Sequence, residues 1–121
     1  MRRLILPALL LAAPAAAATG DMSVAAFLSK ADALKAKGFL ALGSSDIKLL
    51  RDEGQAAGMA YGARLLQERA AGRPSSCPPK GTRPSSSQVL DHLRTYPAAK
   101  RGSISMKTAM ADYFIKNYPC N

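Results

Sequence analysis

The chain holds a single histidine, two cysteines and only eight carboxylates. Each shortage removes a class of chemistry. A zinc site needs three or four His, Cys or carboxylate ligands. His92 with two cysteines does not supply them at ligand spacing. A nucleophile triad needs a base oriented by a third group. Asp91 leaves the helix at a different angle from its neighbour His92. There is no Gly-x-Ser-x-Gly elbow. Asp52 and Glu53 are adjacent in sequence and so do not face each other on a helix as a general acid–base pair. Pro78-Pro79-Lys80-Gly81 lacks phosphate-loop spacing. These absences argue for a binding protein rather than an enzyme, with no cofactor and no metal.

Long apolar runs are also missing, except at the N-terminus. Arg2 and Arg3 precede an apolar stretch from Leu4 to Ala18 that contains Pro7 and Pro14. Small residues Ala16 and Ala18 stand at −3 and −1 before Thr19. This is the three-part layout of a secretory signal peptide over residues 1–18, with the cut expected between Ala18 and Thr19. The run is shorter than the roughly 20 residues that span a bilayer, and its prolines weaken a spanning helix. The expected product is one exported domain, residues 19–121, with no transmembrane segment.

What remains is basic. Without Arg2 and Arg3, 15 basic and 8 acidic side chains leave a net charge of +7. The excess suits an acidic protein face or anionic lipid headgroups, or serves solubility alone. Export removes nucleic acid from the partners. In an oxidising compartment the even cysteine count predicts a disulfide between Cys77 and Cys120.

Apolar spacing predicts an all-α domain of four helices. The first runs from about Met22 to Lys37, capped by Asp21 or Ser23 and stopped by Gly38. A short apolar connector, Phe39 to Leu42, comes after it. The second begins after Ser44 or Ser45, buries Ile47, Leu50, Ala57, Tyr61 and Leu65, and ends near Gly72. It carries Gly54, Gly58 and Gly62 at i+4 spacing, a flat ridge for close packing inside the chain or for a dimer or partner surface. A Pro-rich basic loop, Gly72 to Pro84, follows. The third helix, about Ser86 to Tyr96, opens with a capping box, Ser85 and Gln88. A second basic turn over Ala98 to Gly102 leads to the fourth helix, which ends at Tyr118 before Pro119. His92 is expected on a helix flank.

The second half has a further pattern. Cys77-Pro78-Pro79-x-Gly81 precedes a capped helix with Val89, Leu90 and Leu93. Then come Tyr96-Pro97, a basic turn with Arg101, a last helix through Ala109, and Tyr118-Pro119-Cys120. This order resembles the Rap/Tai immunity family, small periplasmic proteins that protect bacteria against type VI secretion amidase toxins. The resemblance covers about Cys77 to Cys120. It implies an all-helical fold, often dimeric, with the two cysteines bridged, that inserts a loop or helix end into an amidase cleft. Family members often carry another cysteine pair in the first half; here Gly58-Met59-Ala60-Tyr61-Gly62 has none. The expected function is periplasmic inhibition of a cell-wall amidase by occlusion, with Lys80, Gly81, Arg83, Lys100 and Arg101 as candidate contacts. The rival expectations are a chaperone-like periplasmic stress protein and a protein held at an anionic envelope surface.

Overall fold

The computed structural model describes residues 19–121; the signal peptide expected over residues 1–18 lies outside them. The described chain is all-α. Helix α1 spans Val24–Lys37, α2 Ser45–Ala70, α3 Ser86–Arg94 and α4 Met106–Asn117. Two 3-10 helices, Gly38–Gly43 and Ala98–Ser103, join α1 to α2 and α3 to α4. No helix among the described residues is long and apolar enough to cross a membrane.

Local chemistry sets the helix starts. Ser23, Ser44, Ser85 and Ser105 are the four N-caps, each accepting a backbone N–H from the first turn of its helix. Ser85 and Gln88 close the expected capping box in both directions. At the end of α1, Gly38 takes a positive φ, a conformation that glycine adopts without strain. At the end of α2, Gly72 N–H reaches Arg69 O at 3.0 Å and Arg73 N–H reaches Glu68 O at 2.8 Å. With Gly72 also at positive φ, this is a complete Schellman motif.

The caps of α1 and α4 lie side by side, because Ser23 and Ser105 form an antiparallel bridge. Val24 N–H donates to Ile104 O and Met106 N–H to Met22 O, both at 2.8 Å. Lys107 N–H donates to Gly20 O at 3.1 Å. Residues 20–22 thus form a strap over the start of α4, and the Glu53 carboxylate of α2 holds it from the other side. Glu53 is buried and accepts Gly20 N–H at 2.7 Å and Met22 N–H at 3.3 Å. A Cβ on Gly20 would stand 3.2 Å from Ala57 N, so the close approach requires glycine.

The core fills the angle between these helices. Val24, Ala57, Leu93, Met106 and Ala109 are fully buried, with Phe27, Leu28, Leu50 and Met110 around them. Helix α4 packs mainly along α2, and Tyr61, Leu65 and Ala111 extend the core along that seam. An ion pair from Arg94 to Asp32, at 2.9 Å, ties α3 to α1 and lowers the Asp32 pKa. Cys77 and Cys120 are bonded, with Cα atoms 4.9 Å apart.

The elements differ from expectation at their edges. Ile47 is half-buried, while Glu53, absent from the expected stripe, is inside. Helices α3 and α4 stop at Arg94 and Asn117, short of Tyr96 and Tyr118. His92 is not a flank residue: it is buried, its Nε2–H donating to Ala109 O at 2.9 Å. Desolvation is the largest cause that lowers its pKa, so the fold favours the neutral ring.

Two substitutions test this arrangement by chemical denaturation. Leu93→Ala opens a cavity in a fully buried site and is expected to cost about 2–5 kcal/mol. Replacing both cysteines by alanine opens a loop of 43 residues and is expected to cost about 4 kcal/mol on the loop-entropy model.

Candidate functional site

The loop between α2 and α3 carries the densest set of expected contact residues, and its fixed shape is built from both neighbouring helices. On the α2 side, Tyr61, Arg64 and Glu68 follow one another at helical spacing. Arg64 Nε donates to Glu68 Oε2 at 2.8 Å, and its guanidinium lies 5.7 Å from the Tyr61 ring centroid. The other Glu68 oxygen accepts Ser75 N–H at 2.9 Å and also the Ser75 hydroxyl. The Tyr61 hydroxyl bonds the hydroxyls of Ser75 and Ser76, and Ser76 is fully buried. Donors from Ser75 first, then Arg64, hold the Glu68 carboxyl down to about 2 from the usual 4.5.

On the α4 side, Cys77 N–H donates to Tyr118 O at 2.7 Å beside the disulfide. Phe114 links the two sides. Its ring is stacked on Tyr61, with centroids 5.2 Å apart. It also lies tilted against the Tyr118 ring. Beyond Cys77 the chain turns sharply. Thr82 N–H and its hydroxyl both return to Pro79 O, with Gly81 at positive φ. This is a type II turn, which explains Gly81 and puts exposed Lys80 at its apex.

Arg83 and Pro84 then form one wall of an open groove of about 860 Å³. Phe27 and Leu34 of α1, Leu90 of α3, and Gly54 and Gly58 of α2 contribute the other sides. The structure therefore brings Arg83 to the same groove as two glycines of the ridge. It does not use the ridge for close packing inside the chain, which corrects that reading. A Cβ at Gly54, Gly58 or Gly62 would meet nothing within 4 Å. Helix α4 approaches α2 along Ala57, Tyr61 and Leu65 instead, and Gly54 and Gly58 border the groove together with Met110 and Phe114 of α4.

The second basic turn has a different character. Arg101 Nε donates to Tyr96 O at 2.9 Å and a terminal nitrogen to Arg94 O at 3.0 Å. These bonds satisfy carbonyls left open at the end of α3. Lys100 is exposed beside it. No hydrogen bond or ion pair among the described residues joins this turn to Lys80, Gly81 or Arg83.

Sequence reasoning passed over Glu68, Ser75 and Ser76. The visible signal was the i, i+4 pair Arg64 and Glu68 at the end of a long helix, followed within one short turn by two serines. Among the described residues no group of three or more His, Cys, Asp or Glu side chains is placed to hold a metal. No family model, curated protein or solved structure matches the chain.

Two measurements follow from this geometry. Because the folded-state Glu68 pKa is depressed, its contribution to stability is complete above about pH 4.5 and is lost as pH falls toward 2. Denaturation midpoints for the natural protein should fall through that window more steeply than those of Glu68→Gln. Gly62→Ala adds a methyl group to open space on a helix and is expected to raise stability by about 0.5–1 kcal/mol. Close packing at the ridge would reverse the sign.

Proposed function

We propose that this chain is exported to the periplasm, cleaved between Ala18 and Thr19, and acts there as an immunity-type protein that occludes the active site of a cell-wall amidase. The observation that carries this reading is the loop around Lys80. It is clamped by the Glu68–Ser75 and Tyr61–Ser76 contacts on one side and by the Cys77–Cys120 bond on the other. A projecting turn held in one shape loses little conformational freedom when it enters a cleft, and that favours steric inhibition.

The cleavage site is compatible with the fold. A cut before Thr19 leaves the strap from Gly20 to Met22, with its bonds to Glu53, intact. The disulfide accords with an oxidising compartment. The resemblance of the segment from Cys77 to Cys120 supplies the amidase as partner. Within that segment the last helix, the tyrosine–proline end and the two cysteines form one packed unit.

Lys80 and Arg83 would meet the partner first, and Lys100 would contribute from the turn between α3 and α4. Arg101 would act by holding that turn rather than by contact, given its bonds to carbonyls of α3 and the following turn. The test is inhibition of a peptidoglycan amidase effector encoded beside this gene, measured with the mature chain. Nanomolar inhibition is expected. Lys80→Glu with Arg83→Glu should slow association about tenfold and flatten its salt dependence. Failure of the unaltered chain to bind or inhibit any such amidase removes the basis of the reading.

A further inference from the structure

The turn between α1 and α2 inverts the usual placement of its side chains. It reads Gly-Phe-Leu-Ala-Leu-Gly over Gly38–Gly43, and Ala41 is the one that points inward. Phe39, Leu40 and Leu42 are 92, 85 and 77 % exposed. Single exposed apolar residues are ordinary, but three large ones on one short turn form a contiguous patch. A Cβ on Gly38 or Gly43 would meet nothing within 4 Å, so both ends of the patch face open space and it forms a tip.

The charges beside the tip are unequal. Asp46 is paired with Lys30 and Asp52 with Lys48, at 3.6 and 2.8 Å. Asp32 is taken by Arg94. Lys35 and Lys37, in the last turn of α1, are exposed and have no ion-pair partner among the described residues. The acidic side chains nearby are neutralised, and the tip is left with two lysines in excess.

We propose that the Phe39-Leu40-Leu42 tip is a membrane-docking point that enters the headgroup region of an anionic bilayer, with Lys35 and Lys37 set against the lipid phosphates. The shape favours lipid over a protein partner. A standard protein interface needs about 800 Å² on each side. The tip is a six-residue turn that exposes only three large apolar side chains. A bilayer accepts a narrow apolar wedge and rewards flanking cations whose stems lie along its surface. The assignment does not rest on the amidase reading, since the tip and the Lys80 loop are separate elements.

The chain contains no tryptophan, so Phe39→Trp in the mature protein supplies a single reporter. Adding vesicles of two parts phosphatidylcholine to one part phosphatidylglycerol should shift its emission to the blue, and raising salt should reverse the shift. Pure phosphatidylcholine vesicles should shift it far less. Co-sedimentation of the otherwise unaltered chain should weaken at least about tenfold with Leu40→Ser and Leu42→Ser together. It should weaken about fivefold for each of Lys35→Gln and Lys37→Gln. Circular dichroism should show these variants folded, because the side chains are exposed. Emission unchanged by anionic vesicles overturns the assignment. So does vesicle binding that survives the double serine change, which would make the attraction one of net charge alone. A concentration-dependent blue shift without lipid, with a dimer in sedimentation, would give the tip to a second copy of the chain and equally overturn it.

Discussion

The chain from Gly72 to Ser85 has no helix, yet α3, α4 and one wall of the groove all depend on where it lies. Apolar burial does not hold it; a run rich in proline, serine and glycine has little apolar surface to bury. Directed bonds take that role. Glu68 and Tyr61 fix Ser75 and Ser76 to α2, and Cys77 is joined to the end of α4 by a backbone bond and a disulfide. The carboxylate of Glu68 is the central element, because it accepts from Ser75 and from Arg64 at once. A protonated carboxyl in its place would accept fewer of those bonds, which is why its pKa is held low.

A comparable device anchors the other end of the domain. Glu53 lies buried on α2 and accepts two backbone N–H groups of the strap. The strap in turn accepts Met106 N–H and Lys107 N–H from the first turn of α4. Two glutamates of the same helix, about four turns apart, therefore fasten the two irregular segments that pass over it. Between and beside them Leu50, Ala57, Tyr61 and Leu65 supply the apolar contact. Helix α2 is the frame of the molecule through its apolar stripe and these two carboxylates together.

This division explains what could be read from the sequence. Helix number, caps and stops follow from local spacing and from serine and glycine chemistry, so Ser23, Ser44, Ser85, Gly38 and Gly72 were all legible. The disulfide followed from compartment and count. Glu53 and His92 were not legible as interior residues, because polar side chains are ordinarily placed outside. Their burial depends on partners distant in sequence: Gly20 and Met22 for one, Ala109 for the other. Close packing of the glycine ridge inside the chain, one of its two readings, failed for the converse reason. Its spacing announces a surface where backbones can approach, but spacing alone does not say whether a neighbour is present. Of the basic residues, Lys80 and Arg83 are exposed as expected, while Arg101 is committed to backbone carbonyls.

The bridge between Ser23 and Ser105 has a consequence for the order in which the fold can close. Its two sides are more than eighty residues apart in the chain. Synthesis proceeds from the N-terminus, so residues 20–24 emerge well before their backbone partners, Ile104 to Lys107. Until then the first helix has its cap but no neighbour for its leading edge. Pairings this distant are slow to form, since loop closure must precede any gain from contact. The zipper at the start of α1 and α4 thus forms after the helices between them, completed only when the chain through Lys107 is available.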